Sequence, residues 1–170
     1  VVYEAAARKQ LRLYVEYPEQ LPDLPVGPPR QVTFERGVVT SDVFGETLAP
    51  MRIVLVSSCR YVPVRVPDAH LVVAKVAGVD SAVFGLEGAT ADPLLFDHPR
   101  GNLLVATSKL SQFVTGRYLP TEAWHTIWRT ILGRLSDGPP PELRWTRSVR
   151  PSYGSDESLP ADAESHAVRR

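Results

Sequence analysis

The sequence predicts an α/β protein with one sheet, antiparallel in part and covered by helices. Three observations predict it. "RIVLVSS" (52–58) is a continuous apolar run of strand length, the pattern of a strand buried on both faces. "PLLFDH" (93–98) and "NLLVATSKL" (102–110) are two apolar runs joined by Pro99, Arg100 and Gly101, the grammar of a hairpin. From Thr121 to Leu135 the period becomes helical: Trp124, Ile127, Trp128, Ile131, Leu132 and Leu135 share one face, with Thr121 placed to cap the start.

The elements follow in order along the chain. Residues 2–10 have helix-forming composition, with three alanines, Glu4, Arg8 and Lys9. "LRLYVEY" (11–17) alternates Leu11, Leu13, Val15 and Tyr17 against Arg12, Tyr14 and Glu16, the period of a strand. Five prolines between 18 and 30 forbid regular structure, so that stretch is a loop. "QVTFER" (31–36) is a short strand candidate. "YVPVRV" prolongs the run at 52–58, but Pro63 argues against an interior ladder position. "HLVVAKV" (70–76) and "SAVFGL" (81–86) are two further strands separated by a turn over 77–80. Beyond Leu135 the chain is rich in Pro, Ser and charge and reads as a linker. The chain opens in what reads as the second half of a helix and closes with "LPADAESHAVRR", the first turns of another, so an excised piece of a longer protein is expected.

Composition excludes several function classes. The 170 residues suffice for one packed domain and a tail. Formal net charge is zero, which gives no general attraction to nucleic acid or anionic lipid. No apolar run approaches the ~20 residues that span a bilayer. Lys9, Lys75 and Lys109 are the only lysines among 19 basic residues, a bias that fits GC-rich coding. The single cysteine, Cys59, precludes an intrachain disulfide or a cysteine-rich metal site. His70, His125 and His166 fall on different expected elements without metal-ligand spacing, so neither a metal nor a cofactor is expected.

Two residues are candidates for catalysis. Cys59 follows a buried strand, as a nucleophile on a strand-to-helix elbow would. Its neighbours Ser58, Arg60 and Tyr61 are not glycines, and an extended segment follows it. His98, before Pro99 at a strand end, resembles the His of the strand-His-Pro-Glu segment that supplies the base in glutamine amidotransferases, yet Arg100 stands where that family has Glu. Glu87, Asp92 and Asp97 form carboxylate pairs of a kind any acidic-rich chain offers. The candidate binding cluster is Ser111, Gln112, Arg117 and Tyr118, where a strand ends and the chain crosses to the closing helix.

"PLLFDHPRGNLLVATSKLSQF" followed by "AWHTIWRTILGRL" resembles the C-terminal part of the class I glutamine amidotransferase-like superfamily, as seen in ThuA-like proteins and the amidotransferase-like domain of some β-galactosidases. The shared pattern is a strand beginning Pro-apolar-apolar-aromatic, a Gly turn, a strand ending in x-Thr, and a closing helix rich in Trp. It spans residues 93–135, and residues 1–92 follow the same layout loosely. The resemblance implies a flavodoxin-like layered sheet with helices on its faces, a C-terminal antiparallel hairpin and a closing helix. It implies an amidotransferase-like domain over 1–135, truncated at its N-terminus, and a linker leading to a helical domain over 136–170. Such domains are commonly fused to carbohydrate-active modules and often lack the Cys-His-Glu triad. The departures at Cys59 and Arg100 agree with that branch.

The expectation is therefore an accessory, non-catalytic domain of a bacterial glycoside hydrolase. Its partners would be the catalytic module of the same chain and carbohydrate, without nucleic acid or membrane. That reading implies a periplasmic or secreted protein and otherwise leaves the compartment open. Two alternatives stand beside it: an amidotransferase-like or ThuA-like enzyme using Cys59 and His98, and a sugar-binding module presenting Trp124, Trp128 and Trp145.

Overall fold

A computed structural model describes residues 2–54, 56, 59–115 and 121–144. The first helix, α1 (Val2–Arg8), carries Glu4 in its first turn and Arg8 in its last, each complementing the helix dipole. Gln10 at φ 55° ends it in the left-handed conformation typical of helix C-termini. Seven of the eight strands follow before the hairpin closes: β1 (Leu13–Glu16), β2 (Arg30–Gln31), β3 (Arg36–Val39), β4 (Ile53–Val54), β5 (Arg60–Tyr61), β6 (Leu71–Ala74) and β7 (Ala91–Asp97). β8 (Leu103–Ala106) and the helix α2 (Thr121–Leu135) complete the fold.

Six strands form one sheet in the order β1-β8-β7-β6-β3-β4, and β2 pairs with β5 in a separate ribbon. Within the sheet only β1 and β8 run parallel. All other neighbours are antiparallel. The mixed α/β class therefore holds, while the expected flavodoxin-like layering is not what the strands build. A layout of that kind needs parallel neighbours joined by helical crossovers. Here the described residues from β3 through β6 and β7 to β8 hold no α-helix.

The two sheet faces are covered differently. Trp124, Ile127 and Ile131 of α2 lie fully buried against Val39, Leu71, Val73, Leu104 and Ala106. On the opposite face Phe96, Leu103 and Val105 pack with Leu21, Val64 and Tyr3 of α1. The alternation of Leu103 and Val105 against Leu104 and Ala106 is the strand period made visible. Arg12 fastens the two ends of the described chain. Its guanidinium donates to the carbonyls of Arg134 (3.2 Å) and Ser136 (2.7 Å) and pairs with Asp137 (2.8 Å), serving carbonyls that the end of α2 leaves open.

Three segments depart from the sequence reading. In the run 52–58, expected as a strand buried on both faces, the described residues place Ile53–Val54 in the ladder, as the strand β4 at the sheet's edge. The expected strand 81–86 is a series of turns in which Val83 and Phe84 are exposed. Gly78 starts it at φ 126°, where an added Cβ would stand 1.8 Å from the Ser81 carbonyl oxygen, so the chain reverses there. The strand expected over 31–36 is split, with β2 ending at Gln31 and β3 beginning at Arg36. Gly37 lets β3 approach β4, since a Cβ there would meet the Val54 carbonyl oxygen at 2.8 Å. Among the described residues no helix is long and apolar enough to cross a membrane.

Candidate functional site

Cys59 is buried beside β5. Burial pushes its thiol up from the ordinary range, and the hydrogen bond with the Ser108 side chain offsets this only in part. A protonated, covered thiol is a poor nucleophile. Native protein is expected to react slowly with a soluble thiol reagent and fast once unfolded; rapid labelling of the native chain would overturn this.

His98 is 2% exposed and lies where β7 leaves the sheet. Its Nε2 is 2.8 Å from the Pro22 carbonyl oxygen, so Nε2 carries the proton and donates. Nδ1 accepts the Arg100 N–H at 3.2 Å. Both ring nitrogens are thus engaged in holding the Pro-rich loop to the turn between β7 and β8. Arg100 adds a pair to Asp23 at 2.7 Å on the outside of the same junction. The paired roles of Cys59 and His98 in the catalytic alternative are not supported by these surroundings.

The expected binding cluster is divided. Ser111 is stitched to β1: its hydroxyl donates to Glu16 Oε2 (2.6 Å) and its N–H to Oε1 (2.8 Å). Gln112 is exposed on the 3-10 turn Leu110–Thr115. Arg117 and Tyr118 lie outside the described residues, as does Trp145. Trp124 is fully buried and stacked on Phe113, with centroids 4.7 Å apart. Trp128 meets Tyr14 edge to face at 5.6 Å and packs against the same core. Neither indole is placed to stack on a sugar.

The structure brings together a different set. Between the β2–β5 ribbon, β6 and the start of β7 lies a cleft of about 790 Å3. Arg30, Glu35, Tyr61, Lys75, Glu87 and Asp92 line it. The Tyr61 hydroxyl donates to Asp92 Oδ2 at 2.8 Å, and Arg30 reaches the same oxygen at 3.2 Å. Burial, reinforced by the Asp92 bond and charge, pushes the Tyr61 hydroxyl up to about 12. Glu35 Oε2 accepts the N–H groups of Thr33 (2.8 Å) and Phe34 (3.2 Å). The Thr33 N–H is the foremost reason that this carboxyl is held below its ordinary value. Lys75 Nζ stands 3.7 Å from its other oxygen.

These shifts decide what the cleft does chemically. Tyr61 stays protonated and Glu35 stays ionised near neutrality, so neither is poised to exchange a proton. They remain fixed hydrogen-bonding groups, a donor bound to Asp92 and an acceptor beside Lys75. Phe34, next to Glu35, and Phe84, three residues before Glu87, expose 82% and 81% of their surface. The sequence reading had reached Glu87 and Asp92 only as members of an arbitrary carboxylate set. Arg30, Glu35, Tyr61 and Lys75 carry no local motif and converge only in the fold. Compared with protein-family models, curated proteins and solved structures, the chain matches none of them.

Proposed function

We propose that the chain is an accessory α/β domain of a bacterial carbohydrate-active protein and contacts carbohydrate through the cleft around Arg30, Tyr61 and Asp92. The observation that carries this reading is the cleft's inventory. Charged and phenolic groups locked in position suit a polyhydroxyl ligand, and the exposed ring of Phe34, adjoining the lining residue Glu35 in sequence, suits the apolar face of a sugar ring. Both Asp92 bonds fall on Oδ2, which leaves Oδ1 for a ligand hydroxyl. The buried thiol at Cys59 and the engaged imidazole of His98 support a role apart from amidotransferase chemistry.

Affinity electrophoresis through gels containing neutral and acidic polysaccharides tests the proposal. Retardation by at least one polysaccharide is expected. Phe34→Ala, at an exposed site with little bearing on folding, is expected to weaken it about tenfold, or ~1.4 kcal/mol. Unretarded migration in every gel, or a Phe34→Ala variant that binds as wild type does, would sink the reading.

A further inference from the structure

At the other end of β6 three side chains stand in a line. Ser41 Oγ is 2.9 Å from His70 Nδ1, and His70 Nε2 is 2.9 Å from Asp97 Oδ2. A carboxylate oxygen accepts only, so Nε2 must carry the imidazole proton. Nδ1 is then the basic nitrogen, and it accepts the Ser41 hydroxyl. This is a nucleophile bonded to a base whose tautomer is fixed by an acid. We infer that Ser41, His70 and Asp97 form a serine-hydrolase relay acting on small acyl esters, a site separate from the proposed carbohydrate cleft and independent of it.

Phe44 and Arg134 pack against the relay. The Phe44 ring stands edge-on to the imidazole, with centroids 6.4 Å apart. Arg134 pairs with Asp97 and comes within 3.5 Å of His70 Nε2. It holds the Asp97 carboxylate in place beside the imidazole. Ser41 and His70 are partly exposed.

In the step, a Ser41 Oγ lone pair forms the bond to the ester carbonyl carbon while the hydroxyl proton moves to His70 Nδ1. The carbon–oxygen bond to the leaving group then breaks, its electron pair stays on that oxygen, and the proton returns from Nδ1 to give the alcohol. Water, deprotonated by the same Nδ1, releases the acid from Ser41 and restores the hydroxyl.

The test is reaction of the folded chain with a small fluorophosphonate, followed by peptide mass mapping, together with hydrolysis of p-nitrophenyl acetate. The expected result is one adduct, on Ser41. Ser41→Ala, which removes a single oxygen, should abolish the adduct and reduce ester turnover about 10²–10⁴-fold. His70→Gln should slow labelling of Ser41 to a similar extent, with circular dichroism confirming that the variant is folded. Wild-type protein that takes no adduct, takes it elsewhere, or hydrolyses the ester no faster than Ser41→Ala overturns the inference. Those outcomes leave the carbohydrate test unaffected.

Discussion

Trp124→Ala is expected to lower the melting temperature by roughly 6–20 °C or to prevent soluble expression. The indole is fully buried, stacks on Phe113 and joins Ile127 and Ile131 in attaching α2 to the sheet. Truncating a buried Trp costs about 3–5 kcal/mol, against a total margin of about 5–15 kcal/mol for a domain. In a protein of this size each kcal/mol moves the midpoint by about 2–4 °C. Trp124→Phe supplies the control. The buried indole N–H has no partner among the described residues, so a phenyl ring gives up volume but no hydrogen bond. Thermal melts should rank wild type and Phe close together with Ala far below; a near-neutral Ala would mean that α2 is not held by this residue.

His98→Ala comes next in size. It strips the Pro22 carbonyl of its donor and the Arg100 N–H of its acceptor, both part-buried at the loop junction. Each buried polar group left unpaired costs about 1–3 kcal/mol. For two part-buried groups a loss of up to roughly 6 kcal/mol is expected, with cleavage by proteases concentrating at residues 18–30 once the loop is released. His98→Gln, which keeps a donor, should recover part of it. Arg100→Ala removes only a solvent-facing pair with Asp23 and should cost less than ~1 kcal/mol. Urea titration and timed proteolysis separate these cases. Unchanged stability in His98→Ala would show that the junction is held by other means.

Where local pattern and final structure answer to the same forces, the sequence was readable. The helix α2 is legible because Trp124, Ile127 and Ile131 recur at the helical period, and α1 because alanines dominate it. The Pro-rich loop and β1 were readable for similarly local reasons. Over 81–86 the apolar alternation of "SAVFGL" competes with glycines at 78, 85 and 88, all at positive φ, and the glycines prevail. β3 is hidden because Gly37 breaks its strand signal, yet that residue is what the contact with Val54 requires. Strand order and direction were not legible, since no single strand's pattern states its neighbours. The same holds for both sites. Arg30, Tyr61 and Asp92 come from separate elements, as do Ser41, His70 and Asp97, and only long-range pairing sets them a hydrogen bond apart.

The parallel pairing of β1 with β8 has a consequence for the order of events during synthesis. Leu13 pairs with Leu103 and Glu16 with Ala106. A ribosome adding about 5–20 residues per second leaves β1 without its partner for roughly 5–18 s. Through that interval Leu13 and Val15 lie on a nascent strand whose main chain has no ladder to join, the condition that invites pairing with a neighbouring chain. Meanwhile β3, β6 and β7 can assemble among themselves through nearer contacts. Within this sheet β1 is made before its neighbours yet is the last whose place becomes available, and chaperone demand should fall on the emerging β1 segment until β8 has left the exit tunnel.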